Sequence, residues 1–253
     1  MNILFIYNKK IKMRTNISLL QFLTSFLIGL YAFITIVHFT IISFNFNQLV
    51  FMTTWNYYIS TVYLVTICIC DFSFYVLKSH KLDKVNEIFR ENLSPSFTGL
   101  TYLVTFTFWV MIFPVLVKEN GDRNYGMGLY KNIYVHLILT ILHTIDIFIS
   151  YRKQKGIVIK YDFIIGAIIL GVYSIMSLIL IFVFDKPVYP FMYNMTWYKA
   201  IGVLILFIFL FFIFYLIHVG LIKLKYKFRI FILVNNNNDE IFLPDEEVNK
   251  ESN

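Results

Sequence analysis

The chain alternates between long apolar runs and short polar connectors. A bilayer core of about 30 Å takes about 20 apolar residues per helix, and six stretches reach that length: roughly 17–44, 49–70, 98–117, 133–151, 162–184 and 200–219. None has the period-two alternation of a barrel strand. Backbone groups in lipid must be paired internally, so the pattern predicts helices. The expected fold is all-α, a polytopic membrane protein with a bundle of about six transmembrane helices over residues 17–222. A basic arm, 1–16, precedes it and a tail, 223–253, follows. From Asn235 the tail ("NNNNDEIFLPDEEVNKESN") is polar and acidic, and it is expected to be disordered. The first run exceeds the roughly 7–15 residues of a signal-peptide core, so it is expected to be a retained helix.

Composition agrees with a bilayer environment. Hydrophobic residues make up 58% of the 253 and charged ones 15%, against roughly 25% charged in soluble domains. No room is left for a soluble catalytic domain, so any site must lie among the helices. The net charge of +7 does not point to nucleic acid, because the basic residues flank the apolar runs instead of forming one face. Lys9, Lys10, Lys12 and Arg14 precede the first run. Lys78, Lys81, Lys84 and Arg90 follow the second, Arg152, Lys153, Lys155 and Lys160 the fourth, and Lys223, Lys225, Lys227 and Arg229 the sixth. The alternate loops are poorer in Lys and Arg, so the positive-inside rule predicts both termini in the cytosol, in the plasma membrane or an endomembrane. Cys68 and Cys70 have neither metal-site nor disulfide-framework spacing and are expected to be free thiols filling space.

Polar residues inside the runs carry the candidate chemistry. In "KNIYVHLILTILHTIDIFIS", 100° per residue puts Asn132, His136, Thr140, His143 and Asp146 on one face. In the second run Thr53, Asn56, Tyr57, Ser60 and Asp71 share a face. Such faces often serve only as hydrogen-bond seams between helices, and a threonine in a membrane helix commonly bonds a carbonyl one turn back. Topology adds a second possibility. Thr53 and His136 both enter from the outer side and lie about 6 Å deep, and the fifth loop, "FDKPVYPFMYNMTWYK", could roof them. A hydroxyl with an imidazole is the minimum set for covalent hydrolysis, the histidine taking the threonine's proton.

Three stretches together resemble the androgen-induced gene 1 family, which includes the androgen-dependent tissue-factor-pathway-inhibitor-regulating protein. They are "FMTTWNYYISTVYLVTICICD" with Thr53 and Asp71, "NIYVHLILTILHTID" with Asn132, His136 and Asp146, and "VYPF" at 188–191. Order and approximate spacing also match, so the likeness covers most of 17–222. Animal members carry a tryptophan four residues before the threonine; here that position is Leu49, and the tryptophan is Trp55. The resemblance implies an integral-membrane threonine hydrolase of fatty acid esters of hydroxy fatty acids, with Thr53 as nucleophile and His136 as base. Asn132, Asn56 and Tyr189 are the candidates to hold the substrate or its oxyanion, and His143 is expected to be structural. The expected partner is a membrane lipid; no cofactor, metal or nucleic acid is called for. The alternatives are a non-catalytic transporter or channel using the polar stripe as an ion path, or a signalling protein with the same polar seam.

Overall fold

The computed structural model describes residues 19–43, 51–114, 133–149, 159–186, 188–189, 192 and 195–227. The basic arm, Asn132 and the acidic tail lie outside the described residues. Among those described, six helices follow one another without a strand: α1 Leu19–Ser43, α2 Met52–Tyr75, α3 Asp83–Ile112, α4 over 134–149, α5 Ile159–Phe182 and α6 Trp197–Lys227. α2, α3, α5 and α6 are long and apolar enough to cross a membrane, whereas the apolar parts of α1 and α4 are shorter, Phe22–His38 and His136–Ile149.

The outer surface follows from the sequence. Along α5, Ile164, Ile168, Val172, Ile175 and Ile179 recur every three or four residues and are all exposed, a continuous stripe suited to lipid. The inward faces make two apolar clusters. One joins α3, α5 and α6 to the start of α2 and includes Leu103, Phe108, Leu170, Tyr173, Phe207 and Phe211. The other joins α1, α2 and α4 through Ala32, Tyr63, Leu64 and Leu139. α1 and α2 meet at Gly29, where a Cβ would overlap Cys68. Small residues let membrane helices approach this closely. Cys68 and Cys70 are free thiols, as expected, the first half-buried and the second buried.

One expectation is corrected. The sequence pattern puts Arg90 in a cytosolic loop ahead of a third span at 98–117. In fact α3 already begins at Asp83 and Arg90 is buried. Its guanidinium donates to both oxygens of Asp71 at 2.6 and 2.7 Å. It also reaches Asp146 Oδ1 and Ser25 Oγ, each at 3.4 Å, and Asn86 Oδ1 at 3.2 Å. Tyr63 donates to the other Asp146 oxygen at 2.7 Å. One cation thus ties α1, α2 and α4 to α3. The forked guanidinium suits this, because its donors match a carboxylate in a bidentate pair. Lys225 is buried too and donates to the Ile147 carbonyl at 2.8 Å, at the end of α4 where the helix dipole favours a cation. Two of the basic residues that look like membrane flanks are therefore internal braces.

The remaining loop charges still predict orientation. In a background lacking Cys68 and Cys70, a cysteine at Lys81 should resist an impermeant thiol reagent in intact cells, while one at Lys186 should react. Both positions are exposed, so access is decided by the membrane. Labelling at Lys81 alone would invert the orientation.

Candidate active site

α2 starts abruptly. Phe51 precedes it in an extended conformation (φ −91°, ψ 131°) and provides no side-chain cap, so the first-turn N–H groups need other acceptors. Tyr189 of the fifth loop meets one of them: its hydroxyl oxygen accepts from the Met52 N–H at 3.3 Å. The same oxygen accepts from the Tyr173 hydroxyl of α5 at 3.2 Å. Aromatic contacts fix the pair, Phe51 lying 5.9 Å from the Tyr189 ring and Trp55 edge-on to Tyr173 at 5.8 Å. Burial holds the Tyr189 phenol well above its ordinary pKa, so it remains a protonated donor. Val188, Tyr189 and Met192 are all buried against this end of the bundle, so these residues of the fifth loop cover the start of α2.

Under that roof is a cavity of about 20 Å³, closed by Thr53, Thr107, Leu170, Tyr173, Tyr189 and Phe207, among others. It is large enough for about one water. Thr53, half-buried, is the polar α2 residue in its wall; the adjacent Thr54 is more deeply buried and is not part of the wall. Thr107 is also in the wall, and its buried hydroxyl has no hydrogen-bond partner among the described residues. The Thr53 N–H likewise takes no partner among the described residues.

His136 comes to the same end of the bundle on a different wall. It is 4% exposed, and its ring lies flat on Phe108, 3.5 Å between centroids and 5° between planes. Its Nδ1 is buried with no hydrogen-bond partner among the described residues. Phe108 directly follows Thr107, so the cavity and the imidazole lean on one turn of α3. No hydrogen bond joins Thr53 and His136 among the described residues, and His136 is not in the cavity wall. Both surfaces of the stacked pair are π-helical, Phe108–Ile112 and Tyr134–Ile138. Such widened turns occur often at functional sites, and no sequence pattern announces them.

The other expected residues divide. Asn56 is buried one turn below Thr53, accepting from Thr101 at 3.0 Å and Ser60 at 3.5 Å. Its Nδ2 has no partner among the described residues, but Asn56 is outside the cavity wall. Asn132 is outside the described residues. His143 lies in a hydrogen-bonded seam between α3 and α4. Its Nδ1 is 3.3 Å from the Thr98 hydroxyl and its ring stacks on Tyr63. Thr105–Thr140 (2.6 Å) and Tyr102–Thr144 (2.8 Å) continue the seam. Tyr173 and Thr107 escaped the sequence reading. The only available signal was polarity within apolar stretches, a lone tyrosine in "IIGAIILGVYSIM" and the last threonine of "TYLVTFT".

Comparison with known proteins adds one result. A family model described as FAR-17a/AIG1-like protein matches residues 10–223. No curated protein and no solved structure matches.

Proposed function

Since the chain belongs to the FAR-17a/AIG1-like family, we propose that it is a membrane-embedded hydrolase of lipid esters, with Thr53 as nucleophile and His136 as base. One observation carries this: of the polar residues on α2, Thr53 is the one in the wall of the roofed cavity, and an imidazole whose Nδ1 has no hydrogen-bond partner among the described residues stacks on the same turn of α3. The substrate class is fatty acid esters of hydroxy fatty acids. An ester flanked by two acyl chains partitions into the bilayer, so a site among helices meets it where it resides.

In the first step the Thr53 oxygen attacks the acyl carbon and its proton passes to His136. The tetrahedral oxyanion is held by donors at the start of α2, the Thr53 N–H and the Tyr189 hydroxyl, with the helix dipole adding positive potential. Collapse breaks the ester C–O bond. His136 returns the proton to the departing alkoxide, and the hydroxy fatty acid leaves. Water, deprotonated by His136, then attacks acyl-Thr53, and the fatty acid is released as Thr53 recovers its proton. His136 joins this sequence by turning from Phe108 toward the cavity or through a bridging water. Catalytic hydrogen bonds commonly tighten only when substrate is bound.

A fluorophosphonate carrying an alkyl chain tests the proposal directly. The wild type should be labelled covalently on Thr53, and Thr53→Ala should not be labelled. Equal labelling of both proteins would overturn the assignment, and no labelling of either would favour the non-catalytic alternatives.

A further inference from the structure

A buried threonine in a membrane helix commonly bonds the carbonyl one turn back. Thr101 of α3 and Thr144 of α4 do so, donating to Phe97 at 2.8 Å and to Thr140 at 2.7 Å. Thr107 does not. The residue is 7% exposed, and its buried hydroxyl has no partner among the described residues. Buried polar atoms without a protein partner are rare, and an internal water is their usual complement. Of the described side-chain atoms in that condition, the Thr107 hydroxyl is the one whose residue belongs to the cavity wall beside Thr53. The cavity, about 20 Å³, exceeds the roughly 10–15 Å³ that one water takes, and it is far too small for an acyl chain. Thr53, Tyr173 and Tyr189 are the other hydroxyl-bearing residues of the wall, and the two tyrosine hydroxyls are bonded to each other at 3.2 Å. A water needs roughly two to four polar partners, and this wall can supply them.

Resting on the reading of Thr53 as the nucleophile, we infer that this cavity is the site of the hydrolytic water and that Thr107 holds that water for the second step. Thr53 is in the cavity wall but only half-buried, so an ester meets it from outside the cavity while the water stays within. Thr107 immediately precedes Phe108, on which His136 is stacked, so a water bonded to Thr107 sits at the turn of α3 that carries the base. In this step the water oxygen forms a bond to the acyl carbon, and one of its protons passes to His136. The bond between the acyl carbon and the Thr53 oxygen then breaks, that oxygen takes the proton from His136, and the free fatty acid leaves. Thr107 is not needed in the first step, where the Thr53 oxygen is itself the attacking group. Its effect is confined to release of the acyl chain.

The test separates the two steps in nanodiscs, using Thr107→Val, which keeps the side-chain shape and removes the hydroxyl. Fluorophosphonate labelling of Thr53 consumes no water and should proceed at the wild-type rate. Steady-state hydrolysis of a fatty acid ester should fall about 10²-fold, the scale of loss when a reacting group is misplaced. The acyl group should then accumulate on Thr53, seen as added mass on the intact protein. Thr107→Ser keeps the hydroxyl and should recover most of the turnover and clear the acyl group. A merely structural role would slow labelling and turnover together and would leave no acyl group behind. If Thr107→Val does not fold, Thr107→Ala serves in the same comparison. Melting temperature is the readout that needs no turnover. Removing a hydroxyl that a water satisfies should leave it unchanged or lower it, whereas removing one stranded in a dry cavity should raise it. A raised melting temperature, wild-type turnover in Thr107→Val, or parallel loss of labelling and turnover would each overturn the water site and leave the hydrolase standing. A wild type that is neither labelled nor active would remove the hydrolase, and the role of Thr107 with it.

Discussion

Thr53→Ala is expected to abolish ester hydrolysis while the protein still folds and inserts. Thr53 is half-buried at the second position of α2 and its side chain makes no hydrogen bond among the described residues, so little stability is expected to be lost with its hydroxyl. All of its expected value lies in the chemistry. His136→Ala should lower turnover by about 10²–10⁴-fold, the usual contribution of a positioned base. The double variant should be scarcely worse than Thr53→Ala, because residues acting as one unit are far from additive. Thr54→Ala and Ser60→Ala should retain most activity, since the first is outside the cavity wall and the second faces Thr101. The measurement is release of hydroxy fatty acid by purified protein in nanodiscs, with folding followed separately by thermal melting. A rate close to wild type in Thr53→Ala would refute the mechanism, and additive losses in the double variant would separate His136 from Thr53.

Replacing Arg90 should have the largest effect on stability. Arg90→Leu strands Asp71 and Asp146 inside the bundle, the first losing both bonds of a bidentate pair. Removing one partner of a buried ion pair costs about 3–5 kcal/mol, because the other charge is left uncompensated. For a chain of this size that is a fall in melting temperature on the order of 10 °C. Arg90→Leu combined with Asp71→Leu should recover part of the loss. It removes the stranded carboxylate, and Asp146 keeps the Tyr63 hydroxyl. Arg90→Lys should fall between wild type and Arg90→Leu, since a single ammonium keeps the charge but cannot make the forked contact. Melting in detergent, followed by size-exclusion chromatography, gives the order. An Arg90→Leu protein that melts with the wild type would mean that the cluster contributes nothing to holding the four helices together.

The sequence by itself determined the helical membrane fold and the two polar faces of α2 and α4. These follow from local rules: the length of an apolar run, the 100° step of a helix and the cost of an unpaired backbone in lipid. It also drew attention to Thr53 and His136, as polar groups in apolar segments entering from one side, and the family resemblance added the loop stretch that holds Tyr189. It could not separate Arg90 or Lys225 from the lysines at the membrane edge. A basic residue reads the same at a helix flank and inside a bundle, and only the carboxylates and carbonyl that face it across other helices mark the difference. Tertiary structure likewise decided which of the α2 threonines lines the cavity. Thr53 and Thr54 are adjacent on one helix, and it is the arrival of Tyr173 and Tyr189 from elsewhere in the chain that gives Thr53 a cavity to line. The stack of His136 on Phe108 and the fit of Phe211 between Gly99 and Gly166 are of the same kind. Each depends on side chains more than 25 residues apart in sequence packing to interior density, and no single segment encodes that.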